Sequence, residues 1–349
     1  MSTRQTKGLF MVIGTLCTLA FILTAYAPST AAPAAKVADF YKGKTVRLML
    51  GFDAGNTSDT WARIIAPYLE KQIGATVVVV NQGGGGGLVA RNGLSKLTKP
   101  DGLTIMMDPS GALWPSWLLE LEGVQYDVTK FEYLGAINAA YMGLFVNPKG
   151  PYTSVEALKK ADKPIRFAVS GVASLPAVCL LNTIEILGLN AMVAAGYKNT
   201  AACATAVVQG EADGGSCDLQ AAINYEKSGQ AKVLMIQGYE RDSYFRDVPC
   251  LADFAKIPDT AMKLLKGLPY NGRVFFAPPG TPKETVQFLS ESIAATLAVK
   301  DLQKAIAKIA TYWPGTLTRD EVQKMASDVG QNKSASLSYY KSLAAKYVK

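Results

Sequence analysis

Histidine is missing from all 349 residues of the chain. Its absence removes Ser-His-Asp and Cys-His nucleophile systems and any imidazole metal site. It also removes the commonest general acid–base side chain, leaving only carboxylate-pair or lysine chemistry. Cysteine is scarce, with 5 residues and no CxxC pair, so a zinc knuckle or a thioredoxin-type centre does not fit. Cys179, Cys203, Cys217 and Cys250 lie beyond the amino-terminal segment. They allow two disulfides in three pairings, or four buried thiols behaving as small apolar residues. The 36 Lys and Arg residues outnumber 28 Asp and Glu, but they are scattered, without the dense basic cluster and aromatic platform that nucleic acid requires. We expect no nucleic-acid partner, no cofactor and no metal.

The first 35 residues stand apart. Arg4 and Lys7 form a short basic start, Gly8 to Ala25 is apolar, and a stretch rich in Ala, Pro, Ser and Thr follows. That order is the layout of a secretory signal peptide, with small-residue cleavage sites at Ser29-Thr30-Ala31 and Ala32-Pro33-Ala34. Past residue 35 no apolar run is long enough to cross a bilayer. Removing Arg4 and Lys7 takes the formal charge from +8 to +6, a balance that favours anionic ligands in a cleft.

The remainder alternates short apolar runs with helical patterns, the grammar of an α/β protein. Lys44 to Leu50 reads as a strand, followed by a turn and a helix whose Trp61, Ile64, Ile65, Tyr68 and Leu69 share one face. Thr57, Ser58 or Asp59 can cap that helix, Pro67 bends it and Gly74 stops it. Thr76 to Val80 reads as a strand buried on both faces, and Leu103 to Met107 as another. The pattern restarts at Ile165 to Val169, with a helix over Leu175 to Leu187 and strands over Met192 to Ala195, Ala212 to Ser216 and Val233 to Gln237. Tyr133 to Val146 and Leu268 to Pro278 bracket this second set and read as crossings between two lobes.

In open α/β sheets, ligands bind beyond the carboxyl ends of strands. Two facing lobes bring loops 52–59, 108–111, 170–174, 196–200 and 216–218 around one cleft. Helix starts there offer unpaired N–H donors to a carboxylate. A rival motif is Gly85-x-Gly-x-x-Ala90 with Asp108 downstream, which matches a dinucleotide fingerprint. Five consecutive glycines match such a pattern by chance, and no Gly-Lys-Ser/Thr follows to make a P-loop. Asp53 with Asp59 or Asp218 is a conceivable catalytic carboxylate pair, but Asp59 and Asp218 read better as helix caps.

Phe52-Asp53-Ala54-Gly55-Asn56-Thr57-Ser58-Asp59 with Ala62-Arg63, Val80-Asn81-Gln82 with the glycine run, and Pro100-Asp101-Gly102 form an ordered set. Gly196-Tyr197-Lys198, Gly210-Glu211-Ala212-Asp213, Asp247-Val248-Pro249 and Ala277-Pro278-Pro279-Gly280-Thr281-Pro282 continue it. The set resembles the solute-binding proteins of tripartite tricarboxylate transporters, the Bug family, from about Asp39 to the C-terminus. The resemblance implies a periplasmic, two-lobed type II binding fold, with a ligand cleft between the lobes and two crossing hinge segments, rather than an enzyme. It implies a monomer that captures a small carboxylate, either a di- or tricarboxylate or an aromatic acid. The partners it implies are membrane transporter subunits, with a signalling receptor as the alternative.

Carried onto this chain, the first loop, Phe52 to Thr57, holds one carboxylate through backbone N–H groups near Ala54, Gly55, Asn56 and Thr57, and Asp59 caps the next helix. Ser110, Ser170, Ala173 and Ser174 line the cleft from both lobes, with Asp218 at a further strand end. Tyr197 and Trp114 are candidates to stack on an aromatic acid. The expected units are a signal peptide over 1–35, lobe 1 over 36–140 plus 276–349, and lobe 2 over 141–275, hinged near Asn138 to Leu144 and Asn271 to Phe275. The family usually has proline at Asp53 and a second glycine at Asn56, so an extra carboxylate beside the anion site must turn aside or find a cation.

Overall fold

The computed structural model describes residues 31–349 except 139–140, 243, 268–271 and 311. Most of the signal-peptide segment, and residues 139–140 and 271 of the two expected hinges, lie outside the described residues. No helix among the described residues is long and apolar enough to cross a membrane.

The chain opens with α1 (Ala31–Tyr41), β1 (Thr45–Leu50), α2 (Thr57–Ile73), β2 (Thr76–Asn81), α3 (Leu88–Lys96), β3 (Thr104–Pro109), α4 (Ser110–Leu118) and β4 (Glu132–Ile137). It then moves to a second sheet through β5 (Met142–Val146), α5 (Val155–Lys159), β6 (Ile165–Val169), α6 (Leu175–Leu187) and β7 (Ala191–Ala195). That sheet continues with α7 (Thr200–Gln209), β8 (Gly214–Asp218), α8 (Leu219–Lys227) and β9 (Lys232–Ile236). After α9 (Asp259–Gly267) the chain returns through β10 (Arg273–Ala277), α10 (Lys283–Leu297), α11 (Lys300–Ala310), β11 (Thr316–Leu317), α12 (Arg319–Gln331) and α13 (Lys333–Tyr347).

Two mixed sheets result. The first has strand order β11-β4-β10-β3-β1-β2 and the second β7-β6-β8-β5-β9. β1 runs parallel to β2 and β3, and β6 parallel to β7 and β8, as βαβ units require. The strands that close each transfer, β10 and β5, are antiparallel to their neighbours.

The two segments read as crossings do carry the chain between the sheets: Tyr133 to Val146 holds most of β4 in the first sheet and β5 in the second, and Leu268 to Pro278 contains β10, back in the first. β2 is an edge strand with Thr76 and Val78 exposed, so its β-branched run is buried on one side only. A further difference concerns the tail. The C-terminal segment, assigned by sequence to lobe 1 throughout, ends on the second sheet. α13 packs on α6 and β7. The Lys349 N–H donates to the Val193 carbonyl, the Tyr340 hydroxyl to the Val172 carbonyl, and Lys346 and the Tyr347 hydroxyl both reach the Glu185 carboxylate. The apolar residues of α12 and α13 join one cluster with Trp114 and Phe131 on one side and Leu180 and Ile184 on the other, sewing the lobes together away from the cleft.

All four described cysteines are free and buried, which selects the inert-thiol reading. Burial pushes the Cys203 thiol up to about 11 and that of Cys179 up to about 12, so neither is ionised at neutral pH.

Candidate functional site

The first loop is held by its own side chains. Asn56, not Thr57, Ser58 or Asp59, is the N-cap of α2, its Oδ1 accepting from the Asp59 N–H at 3.0 Å. Asp59 sits three residues on and accepts from the Gly55 N–H at 2.9 Å. The Arg63 guanidinium, hydrogen-bonded to Asp59 at 3.0 Å, holds that carboxyl down at about 2, helped by the Gly55 N–H and Asn81. The Gly55 N–H is thus taken up by the Asp59 carboxylate within the loop.

The exposed Asp53 turns towards the glycine run. A Cβ at Gly83 would lie 2.1 Å from Asp53 Oδ1, which places that carboxylate directly over the run. A second close approach is at Gly87, whose φ is 96° and whose Cβ would lie 2.6 Å from Arg91 Nη2. Arg91 folds beneath the turn and donates to Asp108 at 2.7 Å, both side chains being 0% exposed. Burial pushes the Asp108 carboxyl up, and Arg91 opposes it. Asp108 is therefore the buried partner of Arg91, not a displayed ribose ligand.

Between the lobes lies a cleft of about 320 Å³. One wall comes from the first sheet and its helices: Thr57 and Trp61 of α2, Arg273 at the start of β10, Ala310 at the end of α11, and Tyr312 and Pro314 beyond it. The other comes from the start of α8: Asp218, Gln220, Ala221 and Asn224. Of the residues expected from sequence, Thr57 and Asp218 meet across this cleft. Phe52, Ala54, Gly55, Asn56, Asp59, Ser170, Ala173, Ser174 and Tyr197 do not line it.

Ser110 instead ties the end of β3 to the returning chain, donating its backbone N–H to the Gly272 carbonyl and accepting the Gly272 N–H through Oγ, each at 3.0 Å. Arg273 is thereby fixed one residue away. Ser174 caps α6 through the Ala177 N–H, and Tyr197 packs against the buried cluster of Cys203, Ala204 and Val207. Trp114 is buried and donates to the Tyr133 hydroxyl at 3.2 Å, so it is a core side chain.

Sequence reading missed Arg273, Trp61, Gln220 and Tyr312. The Arg273 guanidinium lies 5.3 Å from the centre of the Trp61 ring, a cation–π contact. Burial pushes Arg273 down, opposed by the carboxylates of Asp218 and Asp108. It remains a cation, because a guanidinium does not deprotonate in proteins. Asp218 is the N-cap of α8, accepting from the Gln220 N–H at 3.0 Å. Burial pushes its carboxyl up to about 6, opposed by the Ala221 and Gln220 N–H groups and Arg273, while Asp242 adds to the rise.

Tyr312 closes one end. It leaves the first lobe after α11 and, at 7% exposure, buries its ring among Tyr141, Leu219, Ile223 and Ile236 of the second. Tyr244 stacks on it at 4.5 Å and Phe245 meets it edge-on at 5.3 Å. Among the described residues no cluster of three or more Cys, Asp or Glu could hold a metal ion.

Comparison with known proteins agrees with this architecture. BugT of Bordetella pertussis is 25% identical over 306 residues, covering 86% of this chain and 90% of that protein. The periplasmic binding protein BugD superposes with a TM-score of 0.59 at 23% identity, over 88% of this chain and all of that one. A solute-binding protein from Polaromonas reaches 0.70 at 18% identity, over 88% and 99%. MatC of Rhodopseudomonas palustris, solved with bound malate, reaches 0.59 at 21%, over 86% and 98%. Residues 61–334 match the family described as tripartite tricarboxylate transporter family receptor, which spans most of the chain, and the chain belongs to that family.

Proposed function

We propose that the protein is an exported solute-binding receptor that captures a small organic carboxylate between its lobes and presents it to the membrane subunits of a tripartite transporter. The observation that carries this reading is Arg273, a permanent cation set in the inter-lobe cleft and stacked on Trp61. A guanidinium offers a carboxylate two parallel donors. The cleft volume of about 320 Å³ sits at the small end of ligand sites, as suits a short-chain acid. MatC with malate and a Rhodopseudomonas palustris protein with adipate share the fold and hold such acids. The reading is one of capture without turnover, in keeping with a chain that has no histidine.

Titration calorimetry of the chain lacking residues 1–35 against short-chain acids tests this reading. Binding is expected, with each acid recovered intact, and Arg273→Gln should weaken it about ten-fold or more, the effect of losing a charged hydrogen-bonding partner. Unchanged affinity in Arg273→Gln would remove Arg273 as the anchor.

A further inference from the structure

Among the described residues that line the inter-lobe cleft, one is a cation and one a carboxyl, and they stand on opposite walls: Arg273 on the first lobe and Asp218 on the second. Each bears on the other's charge. Burial raises the Asp218 carboxyl, and the Ala221 and Gln220 N–H groups and Arg273 oppose that rise. Burial works against the Arg273 guanidinium, and Asp218 and Asp108 oppose that in turn. Asp108 is bonded to Arg91 and fully buried, so Asp218 is the carboxyl that shares the cleft with Arg273. Other elements add no second cation to the cleft. The segment after β9 brings Asp242, a like charge whose Oδ1 accepts from the Tyr244 and Phe245 N–H groups. Tyr141, just before β5, sends its hydroxyl to Glu240, and Tyr312 brings a phenol from the segment past α11.

A ligand carboxylate on Arg273 upsets this balance twice. It engages the guanidinium that had opposed the burial of Asp218, and it sets another negative charge in the same cleft of about 320 Å³. Two anions confined in a partly desolvated space repel. Protonation of Asp218 relieves both effects, and Arg273 keeps its charge for the ligand. We propose that capture of a carboxylate on Arg273 draws one proton from solvent onto the Asp218 carboxyl, so that the receptor loads on the acidic side of neutrality and releases as pH rises. This rests on the solute-binding reading with Arg273 as its anchor, and adds a regulation of that site. The direction follows from linkage. In the empty protein the carboxyl stands at about 6, so near pH 7 it is mostly ionised. The bound state raises it further and holds more protons, and acid favours the state that holds more protons. Below about pH 5 Asp218 carries its proton in both states and ceases to discriminate.

Calorimetric titration of the chain lacking residues 1–35 with acetate, lactate, succinate, malate and adipate finds the acid among them that binds tightest, and that acid is the probe. At pH 7, titration in two buffers of different ionisation heat counts the protons exchanged, and about half a proton or more should be taken up per acid bound. Between pH 6 and 8 the Kd should rise about five-fold or more, one full proton setting a limit of about a hundred-fold. Asp218→Asn keeps an oxygen for the helix cap; checked by its melting transition to be folded, it should take up no proton and bind the probe equally well at pH 6 and 8. The proton count on the parent stands whether or not that variant folds. No uptake at pH 7, an affinity that is flat or rises from pH 6 to 8, or the same uptake in Asp218→Asn overturns the proposal and leaves the receptor reading intact. Absence of heat with all five acids overturns both.

Discussion

Asp218→Asn isolates one electrostatic cost that the binding cleft imposes on the fold. Asparagine keeps the cap of α8, because its side-chain oxygen accepts the Gln220 N–H as well as the carboxylate does. What changes is charge. Burial lifts the Asp218 carboxyl from 3.8 to about 6, a rise already net of the attraction of Arg273 and of the two backbone donors. The native state therefore binds this proton more tightly than the unfolded chain does. A group raised in this way contributes stability below about pH 4, and the contribution is lost as pH climbs through about 6. Two units correspond to about 3 kcal/mol. Asp218 retains some access to solvent in the cleft, so we expect about 1–3 kcal/mol. Urea unfolding of the ligand-free protein, followed by circular dichroism between pH 4 and 8, measures it. Asp218→Asn should match the parent near pH 4 and exceed it by that amount at pH 8. A constant difference across the range, or a parent that is the more stable at pH 8, would refute the assignment of Asp218 as a buried, proton-retaining carboxyl.

Two further outcomes follow from contacts already described. Tyr312→Ala removes a ring that the first lobe buries in the second, a loss of about 3 kcal/mol for an aromatic side chain in a packed site; faster ligand dissociation in stopped flow and a larger radius of gyration in small-angle scattering are expected, and no change in either would show that Tyr312 does not hold the lobes together. Gly87→Ala places a methyl against the buried Arg91 guanidinium at positive φ and should cost about 2 kcal/mol or more, whereas Gly74→Ala, also at positive φ but with open space around it, should cost about 1 kcal/mol; equal costs in urea unfolding would mean that the Arg91–Asp108 pair does not dictate the glycine run.

Periodicity and β-branched runs carried the fold. Ile165–Val169 and Leu175–Leu187 stand where the pattern places them, and Gly74 stops α2 in the left-handed conformation its position implied. The two-sheet architecture follows from the restart of the βα pattern after residue 165. Failures came where tertiary placement decides. Thr76–Asn81 has the composition of a central strand, but sheet order puts it at the edge. α13 has apolar residues on several faces, which does not say which lobe it serves, whereas its packing on α6 and the bonds of Tyr340, Lys346 and Tyr347 tie it to the second.

The candidate site was legible where it follows local rules and invisible where it depends on register. Thr57 and Asp218 are found at helix starts beyond strand ends, a place that sequence identifies. Arg273 carries no such mark. It reaches the cleft because β10 runs antiparallel to β3, with Arg273 opposite Pro109 and Gly272 bonded to Ser110. A shift of one residue would turn its side chain to the other face of the sheet. Nor does anything in the spacing of Trp61 and Gln220 announce that they line one cleft, since that is a property of neighbours brought together from far along the chain. Ser110 shows the converse. Sequence offered its hydroxyl to the ligand, and the fold uses it to lock Gly272 in register, so it acts on the site by placing Arg273.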